Sequence, residues 1–208
     1  MLDTQKESAM PAPVTVKVDL GLAKLIEELG KINDRRNGRT EAFFLNVRDD
    51  LDSVATIVSG LDNLFVDLAE GYSDRHLVDD SEFLREHIRA TKDYLHGRNL
   101  VDKLIQLKGF FAHAANNDHL RSKSGAPEKL STLADEIQRY LTSINYTGQS
   151  GTGYKELIEL KKMAEKKLDG ITPANEITRT GNEALRAHPF HTSAELLELV
   201  GDARGLIA

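Results

Sequence analysis

The chain contains no cysteine. A disulfide framework, a thiolate nucleophile and a cysteine-based zinc site are therefore excluded, and the composition is compatible with a reducing cytosol. Long hydrophobic runs are also missing: nothing approaches the roughly 20 apolar residues of a membrane-spanning helix. The opening MLDTQKESAMPAP lacks the apolar region of a secretory leader. Positive charge is short as well. A net charge of −6 weighs against a broad nucleic-acid or anionic-membrane surface, which needs a basic face. The expectation is a soluble, cytoplasmic protein, with no membrane partner and nucleic acid not favoured.

What is present is ordinary for a globular chain: 40% hydrophobic and 29% charged residues. A chain of 208 residues buries roughly 70% of its unfolded surface, so it needs neither metal nor disulfide to fold. One pattern dominates. Phe44, Val47, Leu51, Val54, Val58, Leu61, Phe65, Leu68 and Tyr72 follow one another at alternating spacings of three and four. A strand shows a period of two; only a long α-helix puts these side chains on one stripe, and a repeat of 3.5 asks for another helix beside it. Thr40 is its expected cap and Gly71 its expected end. Ala55, Ile57, Leu64 and Ala69 widen the apolar face, which favours a bundle over a two-stranded coiled coil.

The remaining chain reads as further helices. Residues 1–18 form a tail and extended lead-in, with Val14, Val16 and Val18 alternating. Asp19 caps a helix striped with Leu22, Leu25, Leu29 and Ile32. Asp79 with Glu82 resembles a capping box for a helix bearing Leu84, Ile88 and Leu95. Gly97 ends or weakens it before Leu100, Leu104, Leu107 and Phe111 resume the pattern. Pro127 opens a helix with Leu130, Leu133, Ile137, Tyr140 and Ile144. Residues 147–153 (TGQSGTG) read as a linker. After it come three shorter helices: one stopping at Gly170, one starting at Thr172-Pro173, and one capped by Thr192 with Glu195. Gly60, Gly109 and Gly181 sit inside helical patterns, where each costs about 1 kcal/mol against alanine; close helix approach is the reason expected for them.

Few residues suggest chemistry. Gly148 to Lys155 (GQSGTGYK) comes near a phosphate-binding loop, but Tyr154 stands where that loop needs lysine, and a helix precedes it where a strand is required. His188 with His191, and His113 with His119, lack a third ligand at zinc spacing. The His188–His191 pair flanks Pro189 and reads as turn and packing residues. Asp49, Asp50, Asp52, Asp62, Asp67 and Glu70 fall mostly at outward heptad positions and read as a solvated face. Lys155, Lys161, Lys162, Lys166 and Lys167 interleave with Glu156, Glu159 and Glu165, the pattern of a salt-bridged exposed helix.

Two arginine–histidine pairs, Arg89 with His96 and Arg186 with His191, match an Arg-x(4–6)-His spacing. That spacing resembles the signature of the helical HEPN ribonucleases. The resemblance implies a symmetric dimer that cleaves RNA, with Arg89 and His96 facing each other across the contact. Short motifs also arise by chance, and no basic face accompanies either pair.

The expected fold is all-α: an elongated antiparallel bundle of long heptad-patterned helices over residues 19–146, then a smaller helical annex over 154–208. The leading functional expectation is a non-enzymatic scaffold or adaptor subunit that binds a protein partner through helical surfaces, homo-oligomers being compatible with it. The balance is against an enzyme, and no cofactor or metal is expected. A HEPN-like ribonuclease using Arg89 and His96 is the first alternative, and a helical sensor with an apolar pocket is the second. Leu45 and Val66 point away from the seam. They are candidate interface residues unless a second layer of helices covers them.

Overall fold

The structure, a computed structural model, describes residues 40–96, 98–117, 124–144 and 155–207. The expected lead-in, the helix over Leu22–Ile32, Gly97 and the linker 147–153 lie outside the described residues. Within them all regular structure is α-helical: α1 (Thr40–Ser73), α2 (Arg75–Asp79), α3 (Ser81–His96), α4 (Arg98–Ala114), α5 (Ala126–Ser143), α6 (Lys155–Leu168), α7 (Ala174–Ala187) and α8 (Phe190–Ile207).

The heptad stretch is one unbroken helix of 34 residues, about 51 Å long at 1.5 Å per residue. It runs through Gly60 without interruption. From Val47 to Tyr72 every seam residue is at most 4% exposed. Burial of each such side chain contributes roughly 1.5–3 kcal/mol, which outweighs the penalty of one internal glycine. The flanking Ile57, Leu64 and Ala69 are buried too, because α1 is covered from several sides.

Helices α2, α3, α4, α6, α7 and α8 all pack on α1, with α7 and α8 making the most extensive contacts. Helix α5 packs between α4 and α8, and α6 bridges α3 and α7. The helices after the Gly-rich stretch thus lie directly on the long rod. Their Leu157, Leu160, Ile177, Leu196 and Val200 belong to the same hydrophobic core as Leu51 and Phe65.

Local stops explain the joints. Asp74 serves two helices: its N–H reaches Glu70 O at 3.2 Å, closing α1, while its carboxylate caps α2 by accepting from His76 N at 2.8 Å. The cap of α3 is Asp80 rather than the expected Asp79, since Asp80 Oδ1 accepts from Glu82 N at 2.9 Å and Phe83 N at 3.3 Å. Asp79 instead lies 3.1 Å from Lys167 Nζ on α6. Gly170 ends α6 as expected; its φ of +75° lets Ile171 N reach back to Lys166 O at 2.8 Å. Helix α8 begins at Phe190, two residues before the expected cap Thr192, with Thr192 N bonded to Pro189 O at 3.0 Å.

Candidate functional site

The polar groups that a chemical site would need are largely built into two buried junctions. The first joins α1 to α3. His87 is fully buried, stacked on Phe83 at 5.0 Å and set edge-on to Tyr72 at 4.5 Å. Its Nε2 donates to Leu68 O at 2.8 Å, so Nδ1 is the bare ring nitrogen, and it has no hydrogen-bond partner among the described residues. Burial pushes the imidazole pKa down from 6.5 to about 4, against a smaller upward pull from the Leu68 carbonyl. His87 is therefore a neutral packing residue near pH 7.

One turn on, Thr91 Oγ1 donates to His87 O at 2.8 Å. Its single proton is spent there, so the Tyr72 hydroxyl must be the donor in the 2.8 Å Tyr72–Thr91 bond. Burial pushes the Tyr72 phenol well above its ordinary value; the Thr91 bond opposes that shift and the Glu165 charge adds to it. Tyr94 OH donates to Leu61 O at 3.2 Å. His87, Thr91 and Tyr94 recur at spacings of four and three, on the buried face of α3 that also carries Leu84 and Leu95. The apolar stripe of Leu84, Ile88 and Leu95 does not by itself mark them.

The second junction ties α1, α5 and the α7–α8 turn together. His188 Nε2 lies 2.9 Å from Asp62 Oδ1, and Tyr140 OH donates to the same oxygen at 3.1 Å. The His188 ring stacks on Phe65 at 4.3 Å and meets Phe190 edge-on at 4.3 Å. Its expected role in turn packing is the one it plays. Asp62, however, is not part of a solvated face: His188 and Tyr140 draw it inward. Asp50 departs from that reading as well, being only 3% exposed.

The other candidates are scattered. Arg89 is exposed on α3, and His96 closes that helix two turns later; the His96 side chain lies outside the described residues. Arg186 is exposed on α7, while His191 pairs with Glu195 at 3.1 Å along α8. His113 is exposed on α4 and His119 lies outside the described residues. Lys155 starts α6, and the described element before it is the helix α5, not the strand a phosphate-binding loop requires. Among the described residues no group of three or more His, Asp or Glu is placed to hold a metal ion. None of the described helices is long and apolar enough to cross a membrane.

The surface is more distinctive. Leu45 is 57% exposed, whereas Val66 is only half-buried. Phe43 and Phe44, half-buried, meet edge-on at 5.7 Å beside Leu45. Phe43 shares a helical face with Asn46 and Asp50, which line an open groove of about 350 Å³ with Lys103, Gln106, Leu107 and Phe110 of α4. A second open groove, of about 380 Å³, follows α6 past Ile158, Met163 and Lys162. Comparison with protein-family models, curated proteins and solved structures finds no match for this chain.

Proposed function

We propose that the protein is a non-enzymatic scaffold or adaptor subunit that engages a protein partner through its helical faces. The observation that carries this reading is the first turns of α1, where Leu45 is 57% exposed with Phe43 and Phe44 half-buried beside it, and where Asn46 and Asp50 line an open groove with Lys103, Gln106 and Phe110 of α4. Aromatic and aliphatic anchors beside a groove with polar rims are what a helix-in-groove or helix-on-helix contact uses. The rigid rod beneath them holds the anchors in fixed register, which lowers the ordering cost of binding. The histidines and carboxylates best placed for chemistry (His87, His188 and Asp62) support it from the other side, since each is committed to holding helices together.

The test is affinity capture from the native host at near-physiological salt, followed by reconstitution with the purified captured protein. A stoichiometric complex by sedimentation, weakened about tenfold or more by Leu45→Asp, supports the proposal. Recovery of the protein alone, with turnover of a small molecule or cleavage of RNA that is lost in His96→Ala, contradicts it.

A further inference from the structure

Helix α1 carries a second stripe beside its seam. Phe43, Asn46, Asp50 and Ser53 recur at spacings of three, four and three, and at about 100° per residue they fall within an arc of about 80°. Phe43 and Asn46 are half-buried, whereas Asp50 is 3% and Ser53 1% exposed. Carboxylates and hydroxyls are seldom so buried on a face turned to water, so this flank is a contact face. Helix α4 closes one side of it with Leu107, buried, and Phe110, half-buried, and the groove of about 350 Å³ follows the edge between the two helices.

Thirty-nine residues precede α1 and lie outside the described residues. Their sequence holds one apolar stripe, Leu22, Leu25, Leu29 and Ile32, with the same spacings of three, four and three. On a helix it subtends an arc of about 80° as well, and each stripe is about 15 Å long. A helix this short, with Gly30 inside it, is marginal alone and needs a surface to cover its stripe. Residues 33–39, with the Asn37-Gly38 turn signal, reach at most about 25 Å. That is enough to bring Ile32 back beside Phe43, with Leu22 level with Ser53.

We propose that residues 19–33 dock as an antiparallel amphipathic helix in the α1–α4 groove of their own chain, with Leu22, Leu25, Leu29 and Ile32 covering Phe43 and Phe110. The tether selects this occupant: so short a connection holds the segment beside the groove at a roughly millimolar effective concentration, which a free helix has to outcompete. Charge does not discriminate, since the groove is lined by one acid and one base, Asp50 and Lys103. The segment is then a built-in competitor. A partner's helix enters the groove only by displacing it, a consequence that rests on the adaptor reading.

Because the chain has no cysteine, engineered pairs report the contact without background. Gln106→Cys, exposed on the α4 rim of the groove, is combined in the full chain with Ala23→Cys or with Glu28→Cys, which flank the stripe on either side. Controls replace it with Glu198→Cys, exposed on α8. Under mild oxidation one of the two flanking cysteines should form an intrachain disulfide with Gln106→Cys about tenfold or more faster than with Glu198→Cys. Leu22→Asp/Leu29→Asp should slow that disulfide about tenfold, with circular dichroism showing the bundle still folded. Equal rates with the two positions, or a rate unmoved by the double substitution, overturn the docking. Disulfides between chains that rise with concentration also overturn it and assign the groove to a second copy. In reconstitution with a captured partner, the Leu22→Asp/Leu29→Asp chain should bind about tenfold tighter, and unchanged affinity overturns the competition. Intrachain crosslinking in a chain that captures no partner supports the docking and removes the adaptor reading.

Discussion

A Cβ added to Gly71 would lie 2.4 Å from Cε1 of His87. The last turns of α1 and the middle of α3 therefore meet where one helix has no side chain and the other an imidazole. Because His87 is fully buried and held by Leu68 O, it has no room to swing aside. Gly71→Ala should destabilise the protein by about 2 kcal/mol, although alanine is the better helix former by about 1 kcal/mol. Chemical denaturation of the single and double variants checks it. In a His87→Ala background the Gly71→Ala cost should vanish or change sign, and additive effects would contradict the contact.

Gly181 of α7 is approached less closely, but partly by backbone. Its Cβ would meet Ser73 Oγ at 2.8 Å, and Ser73 N and Tyr72 C at 3.0 Å. Gly181→Ala should cost about 3 kcal/mol by overpacking, and Ser73→Gly should rescue little of that because the backbone atoms remain. Gly109, for which close approach was also expected, has nothing within 4 Å of a Cβ. Gly109→Ala should instead stabilise by about 1 kcal/mol. Thermal melts of the two alanine variants should shift in opposite directions.

Acid should loosen the α1–α3 junction. The His87 imidazole gains a proton near pH 6.5 in the unfolded chain but only near pH 4 in the folded one. Between those values the unfolded state holds more protons, so stability falls as pH falls. The contribution is whole above about pH 6.5 and declines by about 3 kcal/mol on reaching pH 4. His87→Gln removes the titration and keeps a donor for Leu68 O. The wild type should lose stability relative to this variant across that window in urea titrations, and parallel pH profiles would contradict the assignment.

Asp62 is the shared acceptor of His188 and Tyr140. Asp62→Ala removes the acceptor that His188 and Tyr140 share and should cost about 2–3 kcal/mol, whereas Asp62→Asn keeps an acceptor oxygen and should cost about 1 kcal/mol. Equal losses by urea denaturation would mean the oxygen is not what matters.

The rod was legible because its signal is local: every heptad from Val47 to Tyr72 repeats the same instruction, and burial follows it. The all-helical class came with it, as did the stop at Gly170, where a positive φ asks for glycine. What could not be read depends on distant partners. Asp62 looked outward on a helical wheel, yet it meets a histidine 126 positions away. His87, Thr91 and Tyr94 share the helical face of Leu84 and Leu95, but their partners Leu68 O, Tyr72 and Leu61 O are set by where α1 lies. Asp80 rather than Asp79 caps α3, a one-residue difference that spacing alone does not resolve. Gly109 and Gly181 look alike in sequence and differ in what crosses them. Among the interface candidates, Leu45 is exposed and Val66 is half-buried, a distinction set by neighbouring helices that the heptad pattern does not specify.

Native-state hydrogen exchange of the full chain tests the central claim most directly: that α1 is one continuous rod on which the helices before and after the Gly-rich stretch close as a single core. Amides from Val47 to Tyr72 should be the slowest in the molecule, opening together with those of α7 and α8 at the free energy of global unfolding. Fast exchange around Gly60, or α7 and α8 opening well before α1, would contradict it.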